Sequence, residues 1–516
     1  MHHNCINTTL PFSYINGHCG YEHYLLLPKS SQIQCIQKML SIATKFILTA
    51  LFFNRCWASD VNPRYVPHYH VYPPSGWMND PNGFCIFEDE YHLFYQYNPY
   101  SSQEPGVAHW GHVKSPDLIN WEHLPTAMTP DQPYDINGVF SGSAIVENGT
   151  MYLLYTGNVN NPTNKQVQAL AESQDGISVV KYPGNPVIEG AEFQPNIRDP
   201  KVWKHGDLFY MVLGNSFDDN TRGRVLLYSS PDLISWTLES VLDESDGSVG
   251  HVWECPDFFE LDGKYVLLFS PQGMQAIGDK YKNFFQTGYV VGNFDYETKL
   301  FTPITEFREL DHGHDFYATQ TILDGSGRRV FVAWFDMWES VHPERNDGWS
   351  GQITIPRELE LTEGLRILQK PVKELDAARG PKLRSGKAKA GYTLGLEAAA
   401  ADIRVTAPRL QDFELLLESD DSTLSIKYDY KRGTVTLDRG GDDGVRRTKW
   451  RPEGNLVWQV LVDSSSVELF CGKGEVTFSS RFFPSGGLKI RLGDGSNADD
   501  LIVYKMLRTI KAPGDN

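Results

Sequence analysis

A chain of 516 residues is long for one domain and has ample capacity for a buried core, which points to two or more domains. Its net charge of −18 and pI near 5.3 argue against nucleic acid or an anionic membrane surface as a partner. With 12 Trp and 25 Tyr, a neutral small molecule such as a sugar, whose ring stacks on aromatic faces, fits better.

The first sixty residues differ from the rest. After Met39 an apolar core, Phe46 to Phe53, ends in small residues at Ala58 and Ser59, the pattern of a signal-peptide h-region and its cleavage site. It is too short for a comfortable membrane span, and a signal anchor is the competing reading. Residues 1–58 are therefore expected to be a leader, with translation starting at Met1 or Met39. The remainder is expected to be secreted and free of the membrane. Cys5, Cys19, Cys35 and Cys56 fall in this leader. Cys85, Cys255 and Cys471 cannot close a disulfide framework, so stability must come from a large core. Asn148-Gly149-Thr150 is an N-glycosylation sequon.

Next comes GWMNDPNGF, residues Gly76 to Phe84, in which Asp80 stands between the Asn79 amide and a Pro-Asn-Gly turn. Taken alone, Asp-Pro-Asn-Gly reads equally well as a plain turn. Beyond it, short alternating strands dominate to about residue 360. The runs starting at His92, Met151, Leu208, Lys264 and Arg329 lie 59, 57, 56 and 65 residues apart, and SPDLINW at Ser115 recurs as SPDLISW at Ser230. Four-stranded repeats at this period read as propeller blades. Asp80, Ser141, Asp199, Glu254 and Asp315 follow the same rhythm, separated by 61, 58, 55 and 61 residues, each shortly before its strand run. Equivalent places on five blades converge on the axis, so these five are expected to meet in one pocket. After about Phe413, short strands separated by Gly, Asp and Ser return, as in a β-sandwich. The expected fold is all-β: a five-bladed β-propeller over 65–362, a linker at 363–385 and a β-sandwich over 386–516.

Three carboxylates in one pocket repel one another, so at least one should hold a proton at neutral pH. Glycoside hydrolysis needs one ionised and one protonated carboxyl. Asp80, near turn N–H donors, is the expected nucleophile. Glu254, between Trp253 and Cys255-Pro256, is the expected protonated acid. Asp199, beside Arg198, is expected to stay ionised and stabilise positive charge in the transition state.

GWMNDPNG, FYQYNP, HWGH, FSGS, RDP, WECPD, DFYATQ and GWSGQITIPREL, in this order from about His70 to Leu361, resemble the β-fructofuranosidases of glycoside hydrolase family 32, which include invertases and fructan hydrolases. The resemblance resumes in LVDSSSVELFCGKGEVTFSSRFFP. It implies that Asp80 is the nucleophile, Asp199 the transition-state stabiliser and Glu254 the acid/base. It further implies that Trp77, Asn79, Gln96, Trp110, Phe140, Ser141 and Arg198 bind fructose, with Tyr317 and Trp334 on the pocket wall. The implied reaction retains configuration through a covalent fructosyl-enzyme, with the Asp80 and Glu254 carboxyls roughly 5 Å apart. No cofactor or metal is implied. Pro105 stands where the family usually has a Trp, which changes that wall. The expected substrate is sucrose; a fructan hydrolase or fructosyltransferase of the same family, an arabinan hydrolase and a fructan-binding propeller without catalysis are the competing readings. His312-Gly313-His314-Asp315 lacks a further ligand cluster of metal-site spacing, and His68 and His70 read as structural.

Overall fold

The computed structural model describes residues 61–160 and 164–511. The expected leader, with its h-region and the Ala58-Ser59 site, lies outside them. No helix among the described residues is long and apolar enough to cross a membrane.

The all-β expectation holds: strands dominate, and the helical elements described are four short 3-10 turns. Five small sheets follow one another along the chain, and two six-stranded sheets come after them. Each small sheet opens with a long strand: β1 (Gly76–Phe87), β2 (Val139–Glu147), β3 (Ile197–His205), β4 (Val252–Leu261) and β5 (Tyr317–Leu323). The strand runs read from the sequence are the second strands of the same sheets. Each opening strand packs beside the next, and β5 packs against β1, so the five close into a ring.

Strands of this kind read as near-continuous apolar runs because both faces are covered. Between the first and second sheets lie Phe94, Trp110, Leu153 and Tyr155; between the second and third, Leu154, Leu170, Met211 and Leu213. Val212, Leu227, Trp253 and Phe269 join the third sheet to the fourth, and Leu268, Val291, Phe331 and Leu359 the fourth to the fifth. The two SPDL repeats build one turn twice. Asp117 Oδ1 accepts the N–H groups of Ile119 and Asn120, and Asp232 Oδ1 those of Ile234 and Ser235. Each following Trp donates its indole N–H to the Leu carbonyl three residues back.

The first sheet is completed from far along the chain. Trp349–Ser350 pairs in parallel with Gly76–Trp77. Gly351 follows at φ +83°, and a Cβ there would stand 2.2 Å from the Met78 carbonyl oxygen, so no larger residue fits.

The domain limits move. Ile367–Pro371 is the last strand of the fifth sheet, and Arg379–Arg384 already belongs to a six-stranded sheet. Nearly half of the expected linker at 363–385 is strand, and the connection between the two strands is Val372 and the short turn Lys373–Ala378. Ahead of Phe413, where strands were expected to resume, lies a further strand, Ala401–Ala407, whose Ala401, Ile403 and Val405 enter the shared core of the two large sheets.

Buried charge joins the two modules. Arg357, fully buried on the fifth sheet, reaches Asp311 at 3.2 Å and, across the junction, Glu468 and Ser479 at 2.6 Å. His70 bridges Asp463 at 2.8 Å and Glu468 at 3.3 Å. Burial alone would lower the His70 pKa, but hydrogen bonds and charge from Asp463 and Glu468 outweigh it and push it up to about 9. A proton held more tightly in the folded state stabilises fully below the ordinary value of 6.5 and is lost as pH rises through 9. The melting temperature should therefore fall more steeply between pH 6.5 and 9 in the wild type than in His70→Gln, measured by calorimetry at fixed ionic strength. Equal slopes would refute the linkage.

Candidate active site

β1 to β5 each break their ladder register, around Asn79-Asp80, Ser141, Asp199-Pro200, Cys255-Pro256 and Ala318, and β1 does so a second time between Asn82 and Cys85. A bulge of this kind re-aims a side chain. Asp199, Cys255 and Ala318 take φ of +64°, +46° and +47°, a conformation that costs roughly 1–2 kcal/mol per non-glycine residue.

The bulges identify the fifth equivalent position as Ala318, not Asp315. Asp315 is buried at the module junction, where it accepts from the Arg481 N–H at 2.7 Å and from Arg439, and Ser340 and His342 lie at 3.2 and 3.4 Å. The expectation that it joins the pocket is corrected. With Asp336 and His342 it forms the one group among the described residues with metal-like donor spacing, and Arg439 and Arg481 neutralise that group. His312 and His314 point elsewhere, to Glu309 and to Ser480 and Gly444.

Asp80, Asp199 and Glu254 do come together. Asp80 Oδ2 accepts from Ser141 Oγ at 2.7 Å and Oδ1 from the Asn79 amide at 3.2 Å. Asn79 is itself held by the Trp77 indole N–H at 3.1 Å. Cys255 joins two of the acids: its thiol lies 3.5 Å from Asp80 and 3.7 Å from Asp199, and its backbone N–H donates to Asp199 at 2.9 Å. The Asp199 N–H is held by Thr156 Oγ1 at 3.0 Å. Glu254 Oε1 receives two guanidinium bonds from Arg198, at 2.8 and 3.1 Å, and Oε2 accepts from the Tyr317 hydroxyl.

The family model for the N-terminal domain of glycosyl hydrolases family 32 matches residues 70–371, and the C-terminal model matches 369–503. The chain belongs to glycosyl hydrolase family 32. It is similar to a sucrose-6-phosphate hydrolase of Escherichia coli, 40% identical over 81% of this chain and 90% of that one. A raffinose invertase of Escherichia coli is 38% identical over the same shares. Among solved structures, the family 32 β-fructofuranosidase BmSUC1 of Bombyx mori superposes with a TM-score of 0.84 at 43% identity, covering 91% of this chain and 99% of that one.

In this family 32 chain the remaining expected contacts divide into two groups. Trp77, Asn79, Ser141, Arg198 and Tyr317 lie around the acids. Gln96 donates to the Val139 carbonyl at 3.0 Å, and Phe140 is half-buried beside Ser141. Trp110 and Trp334 are both fully buried. Trp110 donates to the Phe140 carbonyl at 3.1 Å and Trp334 packs behind Trp77, so both back the wall without facing solvent. Truncating either to Ala would cost roughly 3–5 kcal/mol of stability. Four nearby residues were not read from the sequence. Trp338 stacks on Trp77, the Arg345 guanidinium lies 4.6 Å over the same ring, and Phe285 packs edge-on to Tyr317. These three carry no periodic signal; Cys255 does, through adjacency to Glu254. Pro105 sits in an exposed loop tied to the Arg345 carbonyl by Ser102 and Gln103.

The pKa shifts run against the expected order. Asp199 is raised to about 7 by burial and by the charges of Glu254 and Asp80, with Arg198 opposing. Asp80 is raised by burial and by Glu254, against hydrogen bonds from Ser141, Asn79 and Cys255. Burial would also raise Glu254, but the Arg198 charge and the bonds from Gln272, Tyr317 and Arg198 hold it low. Arg198 Nε is 3.9 Å from Asp199, so the guanidinium serves Glu254 first. The shifts therefore favour a proton on Asp199 over one on Glu254.

A carboxyl whose pKa is raised on folding favours the folded state below its ordinary value and loses that contribution as pH climbs to about 7. Asp199→Asn should therefore melt a few degrees above the wild type at pH 8 and gain little at pH 4.5, measured by calorimetry. A lower melting point at pH 8 would refute the assignment.

Proposed function

We propose that the chain is a secreted, retaining β-fructofuranosidase whose main substrate is sucrose. The observation that carries this reading is the meeting of Asp80, Asp199 and Glu254, delivered by bulges on three separate strands and joined through Cys255 and Arg198. We read the ring of five sheets as a five-bladed propeller with this cluster on its axis. Secretion rests on the apolar run Phe46 to Phe53 and the small residues after it.

In this mechanism the Asp80 carboxylate attacks the anomeric carbon of the fructosyl unit, and Glu254 protonates the departing glucosyl oxygen. Glu254 then takes a proton from water, which releases fructose from Asp80. Asp199 binds fructose hydroxyls and offsets the positive charge that builds on the ring. The first step needs the cluster's proton on Glu254 and Asp199 ionised. Sugar hydroxyls that donate to Asp199 favour its ionised form and so promote that arrangement.

Sucrose-6-phosphate hydrolases are among the relatives. Here the net charge of −18 opposes a dianionic substrate, so neutral sucrose should give the higher kcat/KM. A panel of sucrose, sucrose-6-phosphate, raffinose, inulin and levan checks this, and preference for the phosphate would reverse the substrate choice. Asp80→Asn and Glu254→Gln should each fold and lose roughly 10³-fold or more in kcat on sucrose. A fully active variant of either sinks the mechanism. The pH profile of kcat/KM should be bell-shaped. Its acid limb follows protonation of Asp80, and its alkaline limb, near 7, follows loss of the last proton from the cluster. Full activity through pH 9 would contradict it.

A further inference from the structure

Beneath the carboxylates a second polar layer runs from strand to strand. Its members lie one to three residues further along the same five strands: Asn82 after Asp80, Gly142 after Ser141, Lys201 after Asp199, Asp257 after Glu254 and Gln320 after Tyr317. Lys201 Nζ donates to the Thr321 carbonyl at 2.6 Å and to Gln320 Oε1 at 3.2 Å, and lies 3.1 Å from Asp257 Oδ2. The same Asp257 oxygen accepts the Thr321 N–H at 2.9 Å. Gln320 Nε2 reaches the Gly142 carbonyl at 3.3 Å, and the Gly142 N–H donates to Asn82 Oδ1 at 3.2 Å. One ammonium on β3 therefore engages β4 and β5 directly, β2 through Gln320 and β1 through Asn82.

The Lys201, Asp257, Gln320 and Asn82 side chains are buried. As a stability device this layer is poor, because apolar residues of similar volume would serve as well as a buried ion pair. As a spacer it is specific. The five opening strands belong to separate sheets and share no backbone ladder, so side-chain bonds must set their separations near the axis. A displacement of about 1 Å between catalytic groups can cost on the order of 10²-fold in rate.

We propose that Lys201, with Gln320 as its arm across the axis, is a positioning residue that fixes the spacing of Asp80, Asp199 and Glu254 without touching substrate. The proposal rests on sucrose hydrolysis by those carboxylates. The test compares Gln320→Leu and the charge-neutral double variant Lys201→Met/Asp257→Asn with the wild type. Steady-state kinetics on sucrose is measured well below each melting midpoint, with calorimetry on the same samples. The expected result is a kcat lower by about 10- to 100-fold with KM within about threefold of the wild type. A purely structural role would lower the melting point and leave kcat intact. Should the double variant not fold, Gln320→Leu decides, since it leaves the ion pair in place. Absence of sucrose turnover by the wild type would refute the function; unchanged kcat in folded variants of an active wild type would refute the network.

Discussion

Five strands meet at an axis without a backbone ladder between them, and the rest of the molecule answers to that constraint. Within a sheet the peptide groups fix register; between sheets they cannot. The wedges of Leu, Val and aromatic side chains hold the sheets together, but their attraction is non-directional. The fine spacing falls to directed bonds such as Ser141 to Asp80, the Cys255 N–H to Asp199 and Arg198 to Glu254. Residues that bind one strand to the next are thus the same residues that make the pocket, or their near neighbours in the chain.

Much of this was legible in the sequence, for a physical reason. Strands covered on both faces must be apolar throughout, so the second strand of each sheet appeared as a run at a steady period, and the unlike polar residues ahead of it marked the axis. Asp315 misled because a period counts residues, whereas structural equivalence is set by the bulge, three positions later at Ala318. The Arg198 guanidinium's partner differs for a related reason. Arg198 adjoins Asp199 in the chain, but successive side chains of a strand diverge, and the guanidinium finds Glu254 on the next strand. Ala401–Ala407 lies ahead of Phe413, where strands were expected to resume, although alternate residues of it enter the core.

The two six-stranded sheets contribute no acid or base to the pocket, yet they are bound to the ring by charge. Arg357 and Arg481 are fully buried at the junction, each engaged by carboxylates, and Asp463 accepts the N–H groups of His68 and Tyr69 at 2.8 and 3.0 Å. Breaking one member of such a set leaves its partner charged and dry, which is costly. The junction is therefore intolerant of single changes in a way that an apolar interface of equal size would not be.

The parallel pair of Trp349–Ser350 with Gly76–Trp77 has a consequence for assembly. The strand that carries Asp80 is made early, but its sheet is complete only when a segment some 270 residues later has emerged from the ribosome. Until then β1 has an open edge at Gly76 and Trp77. The nascent chain must therefore carry an unfinished first sheet through most of its synthesis. A message truncated before codon 349 leaves the first sheet without this strand and the fifth sheet without Arg357–Leu361 and Ile367–Pro371.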